Sequence, residues 1–264
     1  MTGDSLRVEQ RGPIRWLFLN RPERRNALND EIITLLEEQA DAADADPATS
    51  VVVIAGEGAS FCAGGDFGHF LSEDDDGEIV SFLGRISACL SRIEASAKPW
   101  VAAIHGHAIA GGLEIALVCD AVIAAEATWI GDGHVNNRLI PGAGSSVRLE
   151  RAVGKSTARW MHLSGELVSA EDLARTGWIR SVVPPLELRS RAQGLAGRLA
   201  SKDSRAQQNL KRLLNSQVDL DTATSLQREL DAFGQNWVEN DTASALRAFL
   251  AARGTPAAQE AIRS

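Results

Sequence analysis

Two stretches of this chain have the composition to gather charge onto a carbonyl oxygen. One is Phe61-Cys62-Ala63-Gly64-Gly65-Asp66; the other is His105-Gly106-His107-Ala108-Ile109-Ala110-Gly111-Gly112-Leu113-Glu114. Each follows a buried apolar run, opens a helix and keeps an acidic residue close behind. Helix N-termini leave N–H groups unpaired and carry the positive end of the helix dipole. Glycine lets a ligand approach the backbone closely. Two such turns facing each other make a paired donor site for an oxygen that becomes negative.

Rival readings of these glycines fail on spacing. The second turn lacks the second glycine of a dinucleotide fingerprint. Gly154-Lys155-Ser156 resembles the end of a phosphate loop, but Leu149 holds the place of the required glycine. No G-x-S-x-G elbow exists, which argues against a serine hydrolase of that type. His105 and His107 have H-x-H spacing without a third ligand nearby, so they read as structural or pocket-lining. His69 and His162 carry no signal. Cys62 reads as inert packing beside the first turn. Asp66 reads as a helix cap more than an acid. Glu114 fits either a catalytic carboxylate or a charge that favours a helix start.

The elements that position these residues follow from hydrophobic period. Ile14–Leu19 is an apolar run stopped by Asn20-Arg21-Pro22, hence a strand. Asp30–Ala45 has helical spacing, with Asp30 as its expected cap. Val51-Val52-Val53-Ile54 and Trp100–Ile104 are buried strands that feed the two glycine turns. Residues 72–78 are acidic and poor in apolar groups, so they read as a mobile surface loop. Residues 79–95 are helical, 113–119 a buried helix, and Ala121–Ala125 a strand. After Pro141, residues 142–174 show short helical patterns, and 181–183 a last strand. From Leu186 onward only amphipathic helices remain. The reading is an α/β core over residues 1–185 and an α-helical region over 186–264.

Bulk properties are those of an ordinary soluble globular protein. The 264 residues are 44% hydrophobic and 23% charged, with a net charge of −8. That balance argues against nucleic acid or an anionic membrane as the main partner. No apolar run is long enough to span a bilayer, and the N-terminus lacks a signal-peptide pattern. Cys62, Cys89 and Cys119 are too few for a disulfide framework, which points to a cytoplasmic protein with reduced thiols. There is no internal repeat or low-complexity tract.

The motifs in order are Asn20-Arg21-Pro22-Glu23-Arg24-Arg25-Asn26-Ala27-Leu28, then Phe61 to Asp66, then 106–114 with Cys119-Asp120, then Ile140-Pro141-Gly142-Ala143-Gly144. This series resembles the enoyl-CoA hydratase/isomerase (crotonase) family, from about residue 6 to about residue 254. The resemblance implies a spiral of ββα units with a helical C-terminal trimerisation region, and trimers that often pair into hexamers. It implies an acyl-CoA substrate in fatty acid metabolism, with no cofactor beyond the CoA of the substrate and no metal.

Residue by residue, the resemblance makes the N–H groups of Gly65 and Gly111 the oxyanion donors. Ala63, Asp66, Phe67 and Gly68 would contact substrate. Arg24, Arg25 and Ala27 would line the CoA pocket, where arginine suits phosphate. Phe249 and Arg253 would close over the nucleotide. Hydratases of the family use two glutamates. One matches Glu114. The other lies seven residues before the proline of I-P-G, and here that place holds His134. An imidazole of pKa about 6.5 can exchange protons near neutral pH, so a Glu114/His134 pair suits hydration. It also suits isomerisation with one base, or hydrolysis through His134. Family hydrolases with this histidine carry an Asp after the P-G, and here that place is Ala143. Asp132 is an alternative partner for His134. The further reading is a non-catalytic acyl-CoA binding protein that lost the second glutamate.

Overall fold

The structure, a computed structural model, describes the backbone of residues 5–72 and 76–253. Its elements in chain order are β1 (Leu6–Arg11), β2 (Ile14–Leu19), α1 (Asp30–Ala45), β3 (Val51–Gly56), α2 (Phe67–Phe70), α3 (Asp76–Ala95), β4 (Trp100–Ile104), β5 (His107–Ile109), α4 (Gly111–Leu117), β6 (Ala121–Ala125), β7 (Trp129–Gly131), α5 (Ser145–Val153), α6 (Lys155–Ser164), β8 (Val168–Ser169), α7 (Ala170–Ala174), β9 (Ile179–Val183), α8 (Leu188–Ala200), α9 (Ser204–Ser216), α10 (Thr222–Glu239) and α11 (Thr242–Arg253).

Six strands form one sheet in the order β1-β2-β3-β4-β6-β9. β1 and β2 pair antiparallel; the other neighbours run parallel. Parallel strands are covered on both faces, and β3 and β4 are buried along their whole length. Side chains alternate between two cores. Leu17, Leu19, Val52, Ile54, Ala102 and Ile104 pack with α1, α3 and α4. Trp16, Phe18, Val51, Val53, Val101 and Ala103 face α8 through Leu188, Ala192 and Ala196. Trp16 Nε1 donates to Gln193 Oε1 at 2.7 Å, so α8 is tied to the sheet. A second, three-stranded sheet runs β5-β7-β8.

The chain divides after Lys202 into two compact units. In the second unit α9 packs on α10 and α10 on α11. Asp203 and Asp221 cap α9 and α10 by accepting from Ala206 N and Thr224 N. Leu226, Leu230, Phe233 and Trp237 on α10 are exposed.

Three local expectations need correction. Asn29, not Asp30, caps α1: its Oδ1 accepts from Ile32 N at 3.1 Å. Helix α4 starts at Gly111, two residues early, because its two glycines are its first turn. Of the acidic stretch 72–78, residues 73–75 lie outside the described residues, and α3 has already begun at Asp76.

One buried side chain ties the first loop to the sheet. Asn26 is fully buried in a left-handed conformation (φ 57°). Its Oδ1 accepts from Arg21 N at 2.8 Å, and its Nδ2 lies 2.9, 2.8 and 3.1 Å from the carbonyls of Glu57, Ser60 and Phe61. Truncation strands those buried groups, at a cost of about 2–3 kcal/mol. Asn26→Ala is therefore expected to lower the urea midpoint measurably with an unchanged m-value. A midpoint equal to the parent's would remove Asn26 from this role.

Candidate functional site

The two glycine turns lie side by side because the segments leading into them pair as parallel strands. Phe61 N donates to His105 O (2.8 Å), Cys62 N to His107 O (3.0 Å) and Ile109 N to Cys62 O (3.0 Å). The approach leaves no room for side chains. A Cβ at Gly112 would lie 2.2 Å from Cys62 O, and one at Gly64 (φ 110°) would lie 3.1 Å from Ala110 Cβ. The loop at 25–28 seats the first turn: Ala63 N donates to Arg25 O, Leu28 N to Gly64 O, and Asp66 N to Leu28 O. That ladder passes over the Gly65 N–H. Gly111 is the first residue of α4, so its N–H has no partner within the helix. Both glycines line one cavity of about 400 Å³.

Glu114 stands on the same cavity, on α4, and is only 3% exposed. Its Oε1 accepts from Ala143 N at 3.1 Å and Ser145 N at 3.0 Å. Burial pushes its carboxyl above the ordinary range; these N–H groups and the charge of His134 pull back only in part.

His134 lines the same cavity from a tight turn over His134–Asn137, entered through Gly133 in the left-handed region (φ 65°). Behind it lies Asp132, 1% exposed. Ser145 Oγ donates to Asp132 Oδ1 at 2.7 Å. His134 Nδ1 lies 3.1 Å from the same oxygen, close enough to feel its charge although the ring N–H is not in line with it. His162 Nδ1 lies 3.3 Å from Asp132 Oδ2. Burial opposes charge on Asp132, but His134 and Ser145 hold its carboxyl below the usual range. Burial likewise opposes the imidazolium of His134, yet Asp132 and then Glu114 carry it above the usual imidazole value. Ser145 and His162 gave no signal in the sequence. Each acts through a neighbour distant in the chain.

The rest of the cavity is apolar. Phe67, Phe70, Ile79, Leu83, Leu139 and Ile140 form much of its wall, with Asn137 as a polar exception. No Lys or Arg lines it among the described residues.

The structure brings Ala63, Gly65, Phe67, Gly111, Glu114 and His134 to this cavity and leaves Arg24, Arg25, Ala27, Asp66 and Gly68 off its wall. Asp66 caps α2, accepting from Gly68 N at 3.0 Å, and pairs with Arg21 at 2.9 Å. Gly68 supplies that N–H. Ala27 gives its carbonyl to Arg21 Nη1. Arg24 and Arg25 are exposed on the loop before the first turn. Phe249 is an exposed residue of α11. The side chain of Arg253 lies outside the described residues.

His105 Nε2 contacts Gly58 O and His107 Nδ1 contacts Ser60 Oγ, so both brace the turns. No group of three metal-ligating side chains occurs among the described residues. The thiols of Cys62 and Cys89 are pushed up to about 12 by burial, which removes them as nucleophiles. No described helix is long and apolar enough to cross a membrane.

The enoyl-CoA hydratase/isomerase family matches residues 9–259. A probable enoyl-CoA hydratase of Rhizobium meliloti is 35% identical over 254 residues, covering 96% of this chain and 97% of the relative. A 2,3-dehydroadipyl-CoA hydratase of Escherichia coli is 34% identical, covering 90% of this chain and 92% of the relative. The crystal structure of an enoyl-CoA hydratase from Bacillus anthracis matches with a TM-score of 0.89 at 28% identity, over 93% of this chain and 95% of that one.

The electrostatics of Asp132 can be read directly. Asp132→Asn removes a charge that favours the protonated form of His134, so the His134 imidazole titration followed by NMR should move to lower pH, by about one unit. An unmoved titration would detach Asp132 from His134.

Proposed function

Because the chain belongs to the enoyl-CoA hydratase/isomerase family and has the crotonase fold of its structural relatives, we propose that it adds water across the 2,3 double bond of an enoyl-CoA whose acyl chain is apolar. The carrying observation is that Gly65, Gly111, Glu114 and His134 share one cavity.

In this reading the N–H groups of Gly65 and Gly111 receive the thioester oxygen and hold it as charge develops in the enolate. The Glu114 carboxylate, made more basic by burial, takes a proton from water as the oxygen bonds to C3. The His134 imidazolium, sustained by Asp132, delivers a proton to C2. One proton is taken up and one released, and the remaining exchange between the two side chains resets the pair. Arg24 and Arg25, exposed beside the first turn, suit the phosphates of CoA. The exposed apolar side chains of α10 suit self-association, as trimers or paired trimers. The same reading makes this a cytoplasmic enzyme of fatty acid metabolism that uses no cofactor besides the CoA of its substrate.

A second reading has a specific observation behind it. Asp132 stands by His134 in the supporting role that Ala143 cannot fill. A His–Asp pair also activates water toward a carbonyl, and the thioester would then release free CoA.

Crotonyl-CoA hydration is the first test. Glu114→Gln should lower kcat by about 10²–10⁴-fold with little change in CoA affinity, since an amide oxygen can still accept from Ala143 N and Ser145 N. His134→Ala should lower it comparably; hydration unchanged in that variant would sink its role, and free CoA as product would favour hydrolysis. The pH profile has a definite sign. The raised carboxyl of Glu114 puts the rising limb of kcat/KM above the ordinary carboxylate value of 4.5. The raised imidazole of His134 puts the falling limb above 6.5. These limbs belong to the coupled pair.

The apolar wall gives a substrate prediction. A chain ending in a carboxylate would bury an unpaired charge. Hexenoyl-CoA should therefore exceed 2,3-dehydroadipyl-CoA in kcat/KM by about 10–100-fold. Equal values would rule out an apolar tail site.

A further inference from the structure

His162 is the least expected member of this site. It lies on α6, one turn after the buried Ala158 and next to the buried Met161, where a leucine would fill the space without any polar group to satisfy. Both of its ring nitrogens are enclosed and lack a hydrogen-bond partner among the described residues. Its Nδ1 nevertheless lies 3.3 Å from Asp132 Oδ2, while His134 Nδ1 lies 3.1 Å from Oδ1. One buried carboxylate thus stands between two imidazoles.

We propose that His162 is a positioning residue that draws on Asp132 from behind and thereby limits how strongly Asp132 holds the proton of His134. This rests on the hydration reading for its consequence in turnover, though not for the contact itself.

The sign follows from charge alone. A protonated His162 adds positive charge beside Asp132 and weakens its pull on His134. A neutral His162 with its Nδ1–H toward Oδ2 does the same by drawing carboxylate charge to the far oxygen. Either way, removal of the ring leaves Asp132 wholly to His134. Few other charges bear on this arrangement. Glu114 faces His134 from α4. From α6, Lys155 and Arg159 are exposed. From α5, Arg148 turns away to Glu94, and Ser145 contributes a hydroxyl.

The test is the imidazole titration of His134 by ¹⁵N NMR, without substrate. His162→Leu should move the His134 titration to higher pH by about half a unit or more, opposite to the Asp132→Asn shift. His162→Gln, which keeps a neutral donor, should move it less. In the hydration assay the falling limb should follow the same order. A His134 titration unmoved by His162→Leu would overturn the proposal; so would a uniform loss of rate with no movement of either limb. Should His162→Leu fail to fold, the direction of the His134 shift in His162→Gln still decides it. If instead His134→Ala leaves hydration intact, the hydration role of His134 falls while the coupling measured by NMR stands.

Discussion

Everything at this site depends on how closely two pieces of backbone approach. The pairing of Cys62 with His107 and Ile109 draws the exits of β3 and β4 together, and Gly112 lets the first turn of α4 sit against Cys62 O. Any side chain at 112 would collide with a backbone oxygen, which cannot swing away as a flexible side chain can. The same approach leaves Gly65 and Gly111 with N–H groups that the ladder and the helix do not use. Unpaired donors in a largely apolar cavity are unfavourable in the absence of an acceptor. They suit a ligand whose oxygen becomes most negative at the transition state, because fixed donors need no reorganisation when that charge appears. Ala110 carries part of the strain, with φ 49° and ψ −113°, a conformation its Cβ disfavours.

The polar half of the site is a balance of few charges in a buried place. Glu114 and Asp132 are both carboxylates, yet their surroundings push them in opposite directions. Glu114 receives two backbone N–H groups but is so enclosed that its proton is held more tightly than usual. Asp132 has Ser145 and His134 beside it, and stays ionised despite its burial. Two acids separated in this way can take two roles, one exchanging protons with substrate and water, the other fixing an imidazole.

Legibility in the sequence tracked how local the cause was. β2, α1 and β4 could be bounded from apolar runs and the Asn, Pro and Gly residues near their ends, and β6 from its apolar run alone. β5, β7 and β8 could not, since strands of two or three residues exist only through their partners. Gly111 and Gly112 look like a turn by propensity; they are helical because the close approach demands residues without side chains. Asn26 looks like a loop asparagine, and its hydrogen bonds lie more than 30 residues away at Glu57, Ser60 and Phe61. His134 was visible through family resemblance alone, and His162 not at all, because nothing within α6 indicates that Asp132 lies behind it.

The substitution of histidine for the second glutamate changes the proton logic of the site. Two buried glutamates would repel, and one would be held neutral by the other. A glutamate and a histidine attract, so the pair can hold one proton as an ion pair or as two neutral groups, with burial favouring the neutral form and Asp132 favouring the charged one. Asp132 is therefore more than a brace for the ring. It adds a negative charge beside the imidazole, itself off the wall of the cavity that His134 lines. On the proposed reading His134 and Asp132 together stand where the family pattern has a single glutamate, and the departure lies in the way the proton is held, while the N–H groups of Gly65 and Gly111 are the donors offered to the thioester oxygen.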